Sequence, residues 1–214
     1  MVPIFFQGCC ANINSASLAK GFKEADRLGE TLGREVTDTV FRLANCTGDF
    51  TLESYYRQVD LPLEDPPSAE EAERILRDME KGIGLPRRFD QFHRQEMVLW
   101  AKDLVKLAKK GRRDYSLASE IQIFILGNEI AIIGLSHEIF VDYQLRIKEQ
   151  STFPHTFVFA NTNEVAGYIP VPSAFPLGGY EVDAAPKLYG VLRPKSDAGE
   201  GLFKNVMDLL AHEK

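Results

Sequence analysis

One cluster of polar residues follows a markedly apolar stretch of the chain. Ser136, His137 and Glu138 come directly after residues 130–135, which are apolar at almost every position. A serine, a histidine and a carboxylate are the residue types of nucleophilic, general-base and metal-binding chemistry. The end of a buried strand is also where α/β proteins place such groups. The cluster is therefore the first candidate for a functional site.

The residues around this cluster predict a buried hairpin followed by a helix. Two apolar runs, 121–126 and 130–135, flank Gly127 and Asn128, which predicts two strands joined by a tight two-residue turn. The second run is continuously apolar, as is typical of a strand buried on both faces. An amphipathic helix is predicted over 139–149. Glu138 would then lie at a helix start, where the dipole favours its ionised form.

Two interpretations remain open for each titratable residue of the cluster. Glu138 is either a metal ligand or an acid that only stabilises a helix N-terminus. Adjacent residues of a strand point to opposite faces, so we expect a structural or supporting role for His137, with a second ligand or proton shuttle as the alternative. His93 and His155 lie elsewhere without ligand spacing. The sequence therefore predicts no complete zinc site on this chain.

A turn near the N-terminus carries the second group of reactive residues. Cys9 and Cys10 follow a short apolar strand predicted over 2–6. We expect small buried packing for both thiols, with an activated thiolate as the alternative. Asn14, in the same turn, is either the N-cap of the following helix or an amide that helps to hold an oxyanion. That helix is predicted to be long and amphipathic, with apolar residues recurring from Leu18 to Leu43.

The rest of the pattern alternates strands and helices, and a capping box at Ser68-Ala-Glu-Glu71 starts one of the helices. The loop over 161–182 has the length of a functional loop. We expect a single α/β domain over 1–214, with a layered mixed β-sheet and flanking helices. The other predicted elements are strands at 50–63, 156–160 and 188–192, and helices at 69–81, 89–110 (Phe92, Met97, Trp100, Leu104 and Leu107 inward) and 201–212.

The charge and composition of the chain limit the kinds of partner that it is expected to bind. A net charge of −6 without a basic block argues against nucleic acid. No apolar run is long enough to span a bilayer. The three cysteines suggest no disulfide framework. The first residues do not resemble a signal peptide, so we expect a cytoplasmic location if Met1 is the true start.

Several segments together resemble the neutral/alkaline non-lysosomal ceramidase family, most closely its bacterial ceramidase-like members. The family has a buried strand ending in a glutamate, then an Asn-containing loop ending in Tyr, then a Tyr-Glu pair. The matching segments are Ile-Ile-Gly-Leu-Ser-His-Glu at 132–138, Arg-Ile-Lys-Glu-Gln-Ser-Thr-Phe-Pro at 146–154, Ala-Asn-Thr-Asn-Glu-Val-Ala-Gly-Tyr-Ile-Pro at 160–170, Gly-Gly-Tyr-Glu at 178–181, and Phe-Gln-Gly-Cys-Cys-Ala-Asn-Ile-Asn at 6–14. The resemblance covers nearly the whole chain and implies the C-terminal half of a catalytic domain.

The resemblance implies a zinc ion held by two histidines, one glutamate and one tyrosine, which serves the hydrolysis of an N-acyl sphingosine. Glu138 and Tyr168 take the positions of the glutamate and tyrosine ligands, and both histidines would lie upstream of Met1. Asn14 takes the position of the catalytic serine. The residues expected to support the site from nearby are His137, Asn163, Tyr180 and Glu181.

The departures from the family pattern keep two functions open. Asn14 replaces the serine, Ala11-Asn12 replaces Gly-Asp, and Ser136-His137 replaces the usual Pro-Gly. The first function is a zinc-dependent hydrolase of a ceramide-like amide or related bond, with part of the metal site on this chain and no activity from this chain alone. The alternative is a non-catalytic, degenerate binding or assembly module. The expected partners are a small-molecule or lipid amide substrate, an upstream segment or partner chain, and a second copy of this chain.

Overall fold

The computed structural model describes residues 4–17, 20–42, 49–84 and 91–211. Within them the chain alternates helices and strands. The helices are α1 (Phe22–Arg42), α2 (Ala69–Glu80), α3 (Gln91–Lys110), α4 (Val141–Gln150), α5 (Ala185–Leu188) and α6 (Ala198–Ala211), and the strands are β1 (Leu52–Pro62), β2 (Ser116–Leu126), β3 (Ile130–Leu135), β4 (Glu138–Ile139), β5 (His155–Phe159) and β6 (Tyr168–Ile169).

The strands form one mixed sheet and one small parallel pair. The four-stranded sheet has the order β1-β2-β3-β5, antiparallel except for the parallel β3–β5 pair. Strands β4 and β6 make the two-stranded sheet. Helices α4 and α6 contact each other and the edge strands β5 and β1, and their apolar side chains share the core with the inward side chains of the sheet. The predicted layered α/β fold with a mixed sheet and flanking helices is confirmed.

The central hairpin differs from its prediction in two ways. Leu126 pairs with Ile130, so three residues and not two form the turn. Gly127 takes a positive φ of 55° there, which a glycine adopts at no steric cost. Strand β3 is also not buried on both faces. Ala131, Ile133 and Leu135 are fully buried in the core that the sheet shares with α4 and α6, whereas the alternate positions are half-buried.

Helix α2 begins as its capping box predicts. The Ser68 side chain accepts a hydrogen bond from the Glu71 amide at 3.1 Å. In α3, Met97 and Leu104 are buried, but Phe92 is exposed, against its predicted inward position. Helix α1 has no buried residue, and Phe22 on its apolar stripe is 92% exposed. The amphipathic pattern therefore predicts the helix correctly, but the apolar side of α1 is not packed into the described core.

Three predicted elements take other forms. Residues 4–7 are not a strand, and only Gly8 bridges to Phe159 at the sheet edge. The predicted last strand over 188–192 is instead the end of α5 and an irregular segment. The loop over 161–182 contains β6, a 3-10 turn at Pro172–Leu177 and the start of a π-helical turn at Tyr180–Ala184. Single isolated apolar runs do not distinguish these forms, because their conformation depends on contacts with distant segments.

Some predicted positions lie outside the described residues. These are residues 1–3 of the predicted N-terminal strand, Leu18 and Leu43 of the predicted long helix, the predicted loop over 85–88, and His212. In the described ranges, no helix combines the length and apolarity needed to cross a membrane.

Candidate functional site

The end of β3 places the predicted cluster against the two-stranded sheet. Glu138 is not at a helix start, because it lies in β4, and α4 begins only at Val141. Its partner in the parallel β4–β6 ladder is Tyr168. The neighbouring pair, Ile139 and Ile169, is completely buried, so the alternation of strand side chains leaves Glu138 and Tyr168 together on the opposite, half-buried face.

Backbone hydrogen bonds fix this pair. The Glu138 amide donates to the Gly167 carbonyl at 2.9 Å, and the Phe140 amide donates to the Ile169 carbonyl at 3.3 Å. These bonds hold the two short strands side by side, although neither strand is longer than two residues. The carboxylate and the phenol are therefore positioned by main-chain geometry.

His137 occupies the turn between β3 and β4 and is completely buried. Its Nε2 lies 2.8 Å from the Ala118 carbonyl, and its Nδ1 accepts a hydrogen bond from the Ala166 amide at 3.2 Å. This pattern requires the tautomer with the proton on Nε2. Burial lowers the pKa of His137, so the ring is neutral near pH 7. Both ring nitrogens thus contact backbone groups, and neither is directed at Glu138.

The backbone of His137 also joins the two halves of the site. Its amide donates to the Glu164 carbonyl at 2.8 Å, and its carbonyl accepts from the Asn161 amide at 3.1 Å. The residue adopts a positive φ of 70°, an uncommon conformation for a side chain with a Cβ. His137 therefore ties the end of β3 to the loop that leads into Tyr168.

Tyr189 completes the cluster, and sequence reasoning did not identify it. Its hydroxyl donates to Glu138 Oε1 at 2.5 Å. Tyr168 lies beside Glu138 in the ladder, and the Tyr168 ring meets those of Tyr180 and Tyr189 edge to face, at centroid distances of 5.8 and 6.2 Å. Tyr189 follows a helix of only four residues. No periodic signal in the sequence indicates that it turns back to Glu138.

The phenols next to Glu138 are held in their neutral form. Burial, and then hydrogen bonding to the Glu138 carboxylate and its charge, raise the pKa of Tyr168 and of Tyr189 well above the ordinary value for tyrosine. Near pH 7 both phenols thus keep their protons, and the Tyr189 hydroxyl donates to a carboxylate, a charge-assisted hydrogen bond of the stronger kind.

The N-terminal turn contacts the same region. The Ala11 amide donates to the Ile139 carbonyl at 3.3 Å, and Asn12 Oδ1 accepts from the Val141 amide at 2.9 Å, which caps α4. Burial raises the pKa of Cys10, and the charge of Glu138 raises it further, while burial raises the pKa of Cys9 to about 12. Both thiols are therefore protonated at neutral pH, which favours the packing interpretation over a reactive thiolate.

The remaining predicted residues are distributed around the cluster. Asn14 is exposed, and α1 begins only at Phe22, so Asn14 is not the N-cap of that helix. Asn163 has a positive φ of 65°, and its side-chain amide donates to Glu120 Oε2 on β2 at 2.7 Å. Tyr180 contacts Tyr168, and Glu181 is half-buried in the same π-helical turn.

Two oxygen donors lie together at this site. Glu138 and Tyr168 offer a carboxylate and a phenol oxygen on one face, and both atom types ligate zinc or other hard cations. Within the described ranges, no group of three or more His, Cys, Asp or Glu side chains is arranged to hold a metal. The described part of the site therefore offers oxygen donors and lacks the nitrogen donors of a complete zinc centre.

Fold and site together define a layered α/β domain with a carboxylate–phenol cluster at one end of its sheet. The chain matches no protein-family model and no curated protein. Among solved structures, it is similar to a crystal structure of neutral ceramidase from Pseudomonas aeruginosa, with a TM-score of 0.55 and 18% sequence identity. The similarity covers 96% of this chain but 36% of that chain. It shows a shared ceramidase-like fold, and at that level the resemblance drawn from the sequence is confirmed.

Proposed function

We propose that this chain is part of a zinc-dependent hydrolase that cleaves a ceramide-like N-acyl amide or a related bond. In this proposal, Glu138 and Tyr168 are two of the zinc ligands, and the remaining ligands lie outside the described residues. The observation that carries the proposal is the direct pairing of Glu138 with Tyr168 in the β4–β6 ladder. The amide substrate is supported by the fold shared with a neutral ceramidase.

The two proposed ligands differ in whether they must lose a proton before they bind a metal. Glu138 carries the negative charge that a cation requires, whereas Tyr168 must first lose its proton. The pKa of Tyr168 is raised by burial and by Glu138, so that loss is unfavourable near pH 7. These two residues alone should therefore bind zinc weakly. Zinc binding should release a proton and strengthen as the pH rises.

The surrounding residues have positioning roles in this proposal. The Tyr189 hydroxyl fixes the orientation of the Glu138 carboxylate, and His137 holds the loop that brings Tyr168 to it. A bound zinc ion would supply the polarisation of an amide carbonyl and of a water molecule. Asn14 remains the predicted catalytic position in the N-terminal turn, where its amide would serve as a hydrogen-bond donor rather than a nucleophile.

Calorimetric titration of the full 214-residue chain with zinc tests the proposal. We expect weak binding with proton release, visible as a dependence of the heat on the buffer, and affinity that increases with pH. Glu138→Gln and Tyr168→Phe should each reduce this binding, whereas Glu149→Gln, the same change of an exposed acid near the end of α4, should not. Tight stoichiometric binding by the chain alone, or binding that survives both ligand substitutions, would contradict the proposed half-site.

The activity of the chain gives a second test. We expect no release of fatty acid when the chain alone is incubated with zinc and an N-acyl sphingosine, because the ligand set is incomplete. In a larger protein or complex that contains this chain and is active, Glu138→Ala or Tyr168→Ala should abolish turnover. Unchanged turnover would remove the substituted residue from the ligand set.

One observation favours the non-catalytic module as a second candidate. The Glu138 carboxylate already receives a hydrogen bond from the Tyr189 hydroxyl, with Tyr168 beside it in the ladder, so its charge is stabilised without a cation. In this case the cluster only stabilises the fold. No zinc binding at any pH, together with a loss of stability in Tyr189→Phe, would support the module and contradict the hydrolase.

A further inference from the structure

One face of the four-stranded sheet is largely open to solvent and is apolar. Successive strand residues point to opposite faces, and the buried set faces α4 and α6. On the other face, Leu52 is 63%, Phe124 40% and Phe157 46% exposed. Antiparallel sheets that face water normally present polar side chains, so an apolar face indicates that something covers it.

Stacked aromatic side chains form one edge of this open face. Phe6, from the N-terminal segment, stacks on Phe159 with a centroid distance of 4.7 Å, and Phe157 stacks beside it at 6.5 Å. The aromatic surface is thus continuous along β5. The register of the strands arranges the open face in three rows that run across the strands. These rows are Leu52–Leu126–Ile130–His155, Ser54–Phe124–Ile132–Phe157 and Tyr56–Gln122–Gly134–Phe159.

The open face carries no Asp, Glu, Lys or Arg in these three rows. A charged rim begins only in the next row, where Glu120 pairs with Gln58. Glu120 accepts hydrogen bonds from Tyr56 at 3.0 Å and from Asn163 at 2.7 Å, so its charge is held at the rim. Two copies of this face would therefore meet without like charges at their centre.

The size of the open face is sufficient for a dimer. Strands lie about 5 Å apart and same-face rows about 6.6 Å apart, so three rows of four strands cover roughly 400 Å². Exposed apolar patches of about 300–600 Å² mark interaction sites. Two such faces, enlarged at one edge by Phe5 and Phe6, would bury roughly 1,000 Å², about the lower bound of a specific interface.

We infer that two copies of this chain associate by stacking their open sheet faces on each other. Such packing is common between β-sheets, with the two layers roughly 10 Å apart and their strands nearly aligned. A symmetric dimer uses the same patch on both copies, which an uncharged patch permits. The net charge of −6 opposes non-specific association of two copies, so contact is favoured only where the surface is free of charge.

Sedimentation equilibrium of the full chain tests this inference. We expect a reversible monomer–dimer equilibrium. Phe157→Glu and Ser54→Glu should each weaken it by at least about tenfold, since each buries an unpaired charge in the interface. Ser54 is exposed at the sheet edge, so that variant keeps the core intact. Leu145→Glu is the matched control, because Leu145 is an exposed apolar residue on α4, away from the open face, and it should leave the equilibrium unchanged.

Three results would overturn the inference. The first is a wild-type chain that remains monomeric at every concentration. The second is a dimer that tolerates Phe157→Glu and Ser54→Glu but is lost in Val36→Glu, which would assign the contact to α1. The third is a monomer that instead sediments with phosphatidylcholine vesicles through Phe157, which would make the face a lipid contact. Circular dichroism of each variant must match the wild type for the comparison to count.

Discussion

Glu138 and Tyr168 lie directly opposite each other in the parallel β4–β6 ladder, although α4 and β5 separate them along the chain. Their neighbours, Ile139 and Ile169, are fully buried on the other side of the same ladder. The apolar pair anchors the short strands in the core, and the polar pair is thereby fixed towards the half-buried face. A carboxylate and a phenol are held in contact by the same hydrogen bonds that build the fold.

This relationship predicts how the phenols titrate. Glu138→Gln removes the charge that contributes to the raised pKa of Tyr168 and Tyr189. We expect both pKa values to fall, yet to remain above the ordinary tyrosine value, since burial is the largest cause of the shift. Nuclear magnetic resonance of labelled tyrosine rings over an alkaline pH series measures this. Glu181→Gln serves as the control, and unchanged titration in Glu138→Gln would separate the phenols from the carboxylate.

The same phenols predict the stability of the chain at alkaline pH. Their folded pKa values lie above the unfolded value of about 10, so the folded state retains protons that the unfolded state releases. Their contribution is therefore complete below about pH 10 and is lost as the pH rises towards the folded values. Urea unfolding between about pH 9 and 11, the range around the reference pKa of tyrosine, measures this loss of stability. The loss should be smaller in the double variant Tyr168→Phe/Tyr189→Phe than in the wild type. Equal losses of stability in the two proteins would contradict the link between the raised phenol pKa values and alkaline stability.

His137 predicts a different pH dependence on the acid side. Its folded pKa lies below the unfolded value of about 6.5, so the unfolded state binds the extra proton. The stability that neutral His137 provides is complete above about pH 6.5 and is lost as the pH falls below it. Denaturant unfolding over this range should show a steeper acid loss for wild type than for His137→Asn. The same slope in both would assign the acid loss to other groups.

His137 also predicts a large cost of substitution. His137→Ala removes a fully buried side chain, leaves the Ala118 carbonyl and the Ala166 amide without their imidazole partner, and places alanine at a positive φ. We expect a loss of about 2–5 kcal/mol in the free energy of unfolding. His137→Asn should cost about 1 kcal/mol less, because asparagine tolerates the left-handed conformation. Equal costs would show that backbone strain is not part of the effect.

Two glycines of α6 predict opposite effects of the same substitution. A Cβ on Gly199 would lie 2.2 Å from the hydroxyl of the buried Tyr143, so Gly199→Ala must displace Tyr143 or the helix. We expect a loss of about 2–4 kcal/mol. A Cβ on Gly201 meets nothing within 4 Å, so Gly201→Ala should be neutral or stabilising by up to about 1 kcal/mol. Thermal unfolding of both variants measures the difference, and a harmless Gly199→Ala would show that α4 and α6 are not closely packed.

Local chemistry was sufficient to predict several elements. The start of α2 is predicted by the capping hydrogen bond between the Ser68 side chain and the Glu71 amide. The central hairpin is predicted by two apolar runs on either side of a glycine. The strand at β1 and the helix at α3 follow from periodicity within a single segment. Signals of this kind are complete within a few neighbouring residues, and distant contacts do not change them.

The site was predictable only in part. The sequence indicated Glu138 from its place after a buried strand, and the resemblance to a known family added Tyr168. It gave no indication of Tyr189, because a single tyrosine after a four-residue helix has no pattern. It also placed Glu138 at a helix start, since a two-residue strand is too short to show the alternation of a strand.

The sequence by itself thus determined the longer helices and strands, because propensity, capping and periodicity act between near neighbours, whereas the conformation of short segments such as 4–7 and 188–192 depended on distant contacts. Only the tertiary structure decided that Tyr168 and Tyr189 reach Glu138, that His137 is buried against backbone groups, and that α4 and α6 contact the sheet while side chains such as Phe124 and Phe157 stay partly exposed. These relationships join segments that are distant along the chain, and backbone hydrogen bonds and burial set them when the layers pack.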